Sequence, residues 1–191
     1  FEMLKKENVN LITDKINYIN QNSIITNNNS YNIDAIVTAT GFNAGKMIWP
    51  IEVLGKNGTN LNDYWEDDNP RAHIGITVPN FPNFFMMYGP NTNLAHGGSI
   101  VFQGECQIRY ILGCINLLLE KNYNNMDCKT ESYIKYNTKL DEQHAQMVWT
   151  HNKVDSWYRN KAGRVTTNSP WRLVDYWNFT KEPKESDYIF T

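Results

Sequence analysis

Phe84-Phe85-Met86-Met87-Tyr88-Gly89-Pro90-Asn91-Thr92-Asn93-Leu94-Ala95-His96-Gly97-Gly98-Ser99 is the stretch that decides how this chain reads. An apolar run stops at a Gly-Pro turn, and a polar loop with two further glycines leads into a long amphipathic segment. A strand, a tight loop and a helix start, in that order, form the usual place for an α/β protein to hold a ligand. Ligands bind outside the carboxyl ends of strands, and the free amides of a helix start favour negative charge. Gly97 and Gly98 lack a Cβ, so a planar or anionic group can approach the backbone there. The chain is expected to build half of a cofactor site.

Downstream, Ser99 to Lys121 has helical spacing, with Ile100, Gly104, Ile108, Ile111, Ile115 and Leu118 on one face. A second helix is predicted over about Thr130–Val148, with Tyr133, Tyr136, Leu140 and Met147 as its inner face. Pro170 ahead of Trp171–Trp177 suits a short third helix. Upstream, Asn83–Tyr88 reads as a strand and residues 43–80 as irregular. Residues 9–40 read as β-structure, in the runs Val9–Ile12, Ile16–Ile19, Ser23–Thr26 and Ile33–Ala39, parted by Asp, Asn and Ser turns. The last run is almost continuously apolar and is expected to be a buried strand that stops at Thr40-Gly41-Phe42. Gly41 there is either a turn residue or a ligand contact.

The 191 residues allow one medium domain or parts of two. A hydrophobic content of 41% with 13% aromatic residues is enough to form a core and excludes the disordered class. Net charge is only −2 with no Lys/Arg block, so nucleic acid is not an expected partner. No run reaches the roughly 20 apolar residues of a membrane span, and no signal peptide is visible, which gives a cytoplasmic expectation. Cys106, Cys114 and Cys128 show no metal-ligand spacing and read as buried free thiols. The asparagines around 20–32 read as turns or coding bias. The fold class is α/β, β-rich at the front and helical at the back. It lacks the regular βαβ alternation of a self-contained domain. Together with a first residue that is Phe, this makes the chain read as the back half of something larger.

The segment Asp34-Ala35-Ile36-Val37-Thr38-Ala39-Thr40-Gly41-Phe42 resembles the Ala-Thr-Gly-aromatic segment of flavin-containing and Baeyer–Villiger monooxygenases. Asn80-Phe81-Pro82-Asn83-Phe84-Phe85 through Gly89-Pro90-Asn91 is similar to their Pro-Asn-Phe-Phe…Gly-Pro element. The 4-hydroxyacetophenone-monooxygenase type is the nearest resemblance, through Gly89–Ser99, Met147–His151, Ser156–Asn160 and Gly163–Val165, followed by Pro170–Leu173. The resemblance implies a C-terminal fragment of a two-domain, Rossmann-like flavoprotein that uses FAD and NADPH. Residues 1–46 would end the NADP-binding domain, and residues 47–191 would form the C-terminal part of the FAD-binding domain. It also implies insertion of one oxygen atom of O2 into a ketone through a flavin C4a-peroxide, giving an ester. No Gly-x-Gly-x-x-Gly turn occurs in the chain, so the N-terminal dinucleotide-binding segments are expected to be missing and the piece alone inactive.

By the same resemblance, Gly89, Pro90, Asn91, Gly98 and Ser99 line the flavin side, and Thr40 and Gly41 lie near a cofactor where two domains meet. Thr92, Asn93, Leu94, Ala95 and His96 form a wall of the substrate pocket. Trp157 matches a tryptophan that closes over NADP, with Lys153, Ser156 and Arg164 near it in sequence. For each there is an ordinary alternative: a helix cap at Ser99, a surface histidine at 96, a core tryptophan at 157. Asp141, Glu142 and His144 read as a structural helix face. N- or S-oxygenation, or a non-catalytic remnant of the fold acting as an interaction module, are the competing functions. A disulfide reductase is disfavoured because no redox cysteine pair exists.

Overall fold

The computed structural model of the chain describes residues 1–41, 44–66, 68–95, 97–151 and 156–191. It divides into two compact units, Phe1–Phe42 and Asn43–Thr191.

The first unit is a three-stranded antiparallel meander of β1 (Ile16–Ile19), β2 (Ser23–Thr26) and β3 (Ser30–Asn32). Ile24 pairs with Ile19 on one side and Tyr31 on the other. The first two strands fall where the β-branched runs predict them. Asparagines close the turns: Asn20 Oδ1 accepts the amides of Asn22 and Ser23 at 3.0 and 2.8 Å, and Thr26 Oγ1 accepts that of Asn29 at 3.0 Å. Short polar side chains that bond nearby backbone favour such turns.

Two expected strands are absent. Val9–Ile12 has no ladder, and neither has Ile33–Ala39, where Val37 is 91% exposed. A strand exists only by pairing with another, and among the described residues none lies beside either run.

The second unit contains α1 (Leu61–Tyr64), α2 (Ile100–Glu120), β4 (Met126–Cys128), α3 (Thr130–His144), α4 (Leu173–Phe179) and β5 (Tyr188–Phe190). β4 and β5 pair antiparallel, Asp127 opposite Ile189. The chain is mixed α/β, as expected. Asn83–Tyr88 is not a strand: Asn83 and Tyr88 both adopt left-handed backbone (φ 57° and 56°), which breaks an extended run at each end. Phe84 and Phe85 are half-buried and Met86 packs with Leu61, Trp65, Val78 and Phe81, while Met87 and Tyr88 are exposed. α3 ends at His144, so Met147 lies outside it, and α4 starts three residues beyond Pro170 rather than at it.

α2 spans the predicted residues but buries a different face. Gln103, Cys106, Gln107, Tyr110 and Cys114 point inward, while Ile100, Ile108 and Ile115 are exposed. Apolar residues stand on both sides of this helix, and pairing selects the inner one. Gln107 donates to Tyr176 Oη at 3.1 Å and accepts the Tyr88 amide at 2.9 Å, and the Tyr110 and Tyr188 hydroxyls meet at 2.7 Å. Gln107 thus enters the core with its partners built in, whereas the side-chain amide of the equally buried Gln103 has no hydrogen-bond partner among the described residues. The three thiols are free and buried, as expected. Burial raises Cys106 and lifts Cys114 and Cys128 to about 12.

Candidate functional site

The loop from Gly89 to Ser99 has a buried rear and an exposed front. Gly89, Pro90, Asn91 and Thr92 are buried; Asn93, Leu94 and Ala95 are half-buried; Gly97, Gly98 and Ser99 are exposed. At the rear two glycines cross closely. A Cβ on Gly89 would collide with the Gly75 carbonyl, and one on Gly75, which is left-handed at φ 74°, would collide with Thr92. Thr92 Oγ1 donates to the Gly89 carbonyl at 2.7 Å and closes the turn.

Beside the loop runs the segment Val165–Ser169. The amides of Asn91 and Asn93 donate to the carbonyls of Thr166 and Thr167, each at 3.0 Å, and the Ser169 amide returns to the Asn93 carbonyl at 2.8 Å. Asn93 and Asn168 thereby form a parallel bridge, reinforced by a 2.8 Å side-chain bond. Asn91 is left-handed (φ 57°), and its amide nitrogen donates to the carbonyls of Val165 (2.8 Å) and Asn168 (3.2 Å). The side chain of Asn91 therefore faces the protein interior, where it holds the turn.

Behind Asn91 lies a partly buried charge network that the sequence did not reveal. Arg164 Nε donates to Asp141 at 2.9 Å, its Nη1 to the Pro70 carbonyl at 3.1 Å and its Nη2 to Asn91 Oδ1 at 3.3 Å. Arg71 holds the other Asp141 oxygen at 2.9 Å. Burial lowers Arg164 to about 10, so it stays charged at neutral pH. His144 is buried against Asn91, and Trp149 Nε1 donates to its Nδ1 at 3.0 Å, which leaves that nitrogen without a proton. Burial, then the nearby Arg164 charge, lowers His144 to about 4, so the ring is neutral. Asp141 and His144 are structural, as read, and Arg164, near Trp157 in sequence, is largely buried in the same network. A signal did exist. Asn137, Asp141 and His144 recur at i, i+4 and i+7, putting three polar groups on the stripe that also carries Leu140.

At the front, Ser99 caps α2, its Oγ accepting the Phe102 amide at 3.4 Å. The amides of Ile100 and Val101 lie in the first turn, where no preceding carbonyl of the helix can reach them. Gly98 takes φ 124°, and a Cβ there would come within 2.7 Å of Leu173, so only glycine fits between this turn and α4. Gly97 has open space around its Cα. The set offers uncompensated N–H donors and a positive helix end beside bare backbone, which suits a flat, electron-rich, anionic edge.

Of the other predicted residues, Trp157 is 58% exposed and leans on Tyr158 at 4.4 Å between ring centroids, so it is not a core tryptophan. Thr40 and Gly41 are exposed in the first unit, Gly41 at φ 77°. His96, Lys153 and Phe42 lie outside the described residues. Among the described residues no group of His, Cys, Asp and Glu could hold a metal ion.

Over 98% of its length the chain is 40% identical to an uncharacterized monooxygenase of Sinorhizobium fredii. Over 91% it is 33% identical to a Baeyer–Villiger monooxygenase of Pseudomonas aeruginosa. The chain is related to the Baeyer–Villiger monooxygenases. It spans 28% and 33% of the length of those two relatives. The crystal structure of a complex named OTEMO, with FAD and NADP, shares its fold at a TM-score of 0.81 and 21% identity, matching all of this chain and 36% of that one. No family model matches the chain. The 4-hydroxyacetophenone type is not singled out among these monooxygenases. No helix among the described residues is long and apolar enough to cross a membrane.

Proposed function

We propose that this chain is part of an FAD- and NADPH-dependent monooxygenase that inserts one oxygen atom of O2 into a ketone to give an ester. Overall, NADPH, a proton, O2 and the ketone become NADP+, water and the ester. The observation that carries the proposal is the exposed start of α2, held on a buried rear tied to the Val165–Ser169 segment by backbone hydrogen bonds. Bound flavin would supply the electron transfer to O2. What the chain supplies is position and field: the Ile100 and Val101 amides and the positive helix end favour a reduced, anionic ring edge. Such an end stabilises a nearby anion by roughly 0.3–1 kcal/mol when exposed and about 2 kcal/mol when partly buried.

In this reading Gly98 and Ser99 face the ring, and Gly89, Pro90 and Asn91 fix the turn that presents them. Thr92, Asn93, Leu94 and Ala95, with His96, form the substrate wall, Leu94 and Ala95 being its apolar part. Thr40 and Gly41 lie near a cofactor, and Trp157 closes over NADP. Residues 1–46 close an NADP-binding domain and residues 47–191 complete an FAD-binding one, in a cytoplasmic enzyme. The Pseudomonas relative's name and the FAD and NADP bound in the matched structure support this.

The test is to express the complete reading frame that contains this chain and record its flavin absorbance. NADPH oxidation is then followed with a ketone, an amine and a sulfide. Yellow protein, oxidation stimulated by the ketone and a product one oxygen atom heavier are expected. Stimulation by the amine or sulfide alone would move the activity to N- or S-oxygenation. Colourless protein would leave only a non-catalytic remnant of the fold.

A further inference from the structure

A cavity of about 320 Å³ opens between α3 and the chain that runs from Phe179 to Asp187, and no residue of the Gly89–Ser99 loop lines it. At its inner end sits His73, only 6% exposed, and neither nitrogen of its ring has a hydrogen-bond partner. The backbone of His73 is tied down, its amide donating to the Thr77 carbonyl at 2.7 Å. The ring itself meets only aromatic neighbours, Tyr136 and Tyr188, in T-shaped contacts, and the Asp187 carboxylate at 3.7 Å, beyond hydrogen-bond reach. The other Asp187 oxygen accepts the Ser132 hydroxyl at 2.8 Å. Buried polar groups are nearly always paired, so an orphaned imidazole lining a cavity marks a place for a polar atom from outside the chain.

The walls and the rim say what that atom is attached to. Ile74, Tyr110, Tyr136 and Phe179 make the walls apolar and aromatic, and a cavity of this size with a few convergent polar groups is the common form of a small-molecule site. Lys135, Lys139 and Lys184 stand exposed at the rim against the single acid Glu182. Lys135 and Lys139 are one turn apart on α3, and the Lys139 ammonium lies 5.8 Å from the centre of the Phe179 ring. None of the salt bridges among the described residues uses these three lysines. A carboxylate at the inner end would face Asp187, and an ammonium group would have to pass the lysines. A hydroxyl both donates and accepts, so it can pair with His73 and Asp187 together. We propose that this cavity binds a small hydroxyaryl carboxylate, with its hydroxyl between His73 and Asp187, its ring against Tyr136 and Phe179, and its carboxylate at the lysine rim. This does not rest on the flavin reading.

The test is calorimetric titration of the complete protein that contains this chain with 4-hydroxyphenylacetate, phenylacetate and 4-hydroxyphenylacetamide. The hydroxy acid is expected to bind one-to-one with a Kd below about 1 mM. Each of the other two lacks one of its polar ends and should bind about tenfold more weakly. K135E/K184E, made on exposed side chains, should weaken the hydroxy acid about tenfold and leave the amide unchanged. H73F should erase the preference for the hydroxyl, so that the hydroxy acid and phenylacetate bind alike. Circular dichroism checks that H73F folds, and the lysine variant decides the matter if it does not. No binding, or equal binding of all three compounds, would overturn the proposal. So would a hydroxy acid indifferent to K135E/K184E, because it would then sit elsewhere in the protein, or a folded H73F protein that still prefers the hydroxyl.

Discussion

The rear and the front of the Gly89–Ser99 loop are built on opposite principles. In the rear, Asn91 bonds through its backbone amide and both side-chain atoms, and every partner is protein. At the front, Gly98 and Ser99 leave the amides of Ile100 and Val101 pointing outward from an exposed turn. The rear fixes geometry, and the front holds uncompensated charge. Substitutions should therefore cost stability at one end and ligand affinity at the other.

The sharpest way to break this contrast is Arg164→Ala. It removes the cation that joins Asp141, Pro70 and Asn91. Breaking a buried pair costs about 3–5 kcal/mol, and since Arg71 still holds the partly exposed Asp141, the loss in denaturant midpoint should sit at the lower end of that range. A loss under about 1 kcal/mol would mean that the rear is not anchored there.

His144 gives the next largest effect, through pH. Its folded pKa of about 4 lies below the ordinary value of 6.5. Between those two values the unfolded chain binds a proton that the folded chain does not, so stability is full above pH 6.5 and falls as pH drops towards 4. The loss is on the order of 3 kcal/mol. His144→Gln should flatten this part of the urea-stability profile.

Asn91→Ala follows, at about 2 kcal/mol, because it leaves the Val165 and Asn168 carbonyls short of a donor and puts alanine in a left-handed site. Smallest is Ser99→Ala, a cap with a long 3.4 Å bond, expected to cost about 0.5 kcal/mol in thermal unfolding. If Ser99→Ala destabilised as much as Asn91→Ala, the front would be part of the frame rather than an open edge.

What could be read from sequence was local. Ser99 and the end of α2 near Lys121 were legible because a cap is a short-range signal, as were β1 and β2 from their turns. The runs 33–39 and 83–88 were misread for two different reasons. The first has no strand to pair with among the described residues, and the second is bent by left-handed Asn83 and Tyr88, neither of which is a glycine. The face of α2 was misread because two of its sides are apolar, and periodicity alone cannot say which faces inward. The Arg164 network joins residues 23 and 73 positions apart, beyond the reach of any window along the chain. The polar triplet on α3 was its one local trace.

The three native thiols carry a practical consequence. All sit in the interior, and burial keeps them protonated well past neutral pH, whereas only the thiolate reacts with alkylating reagents. A single cysteine introduced at Ser99 or Trp157 would then be the fastest-labelled sulfur in the molecule. A fluorophore attached there could report events at the mouth of the long helix without first stripping the background.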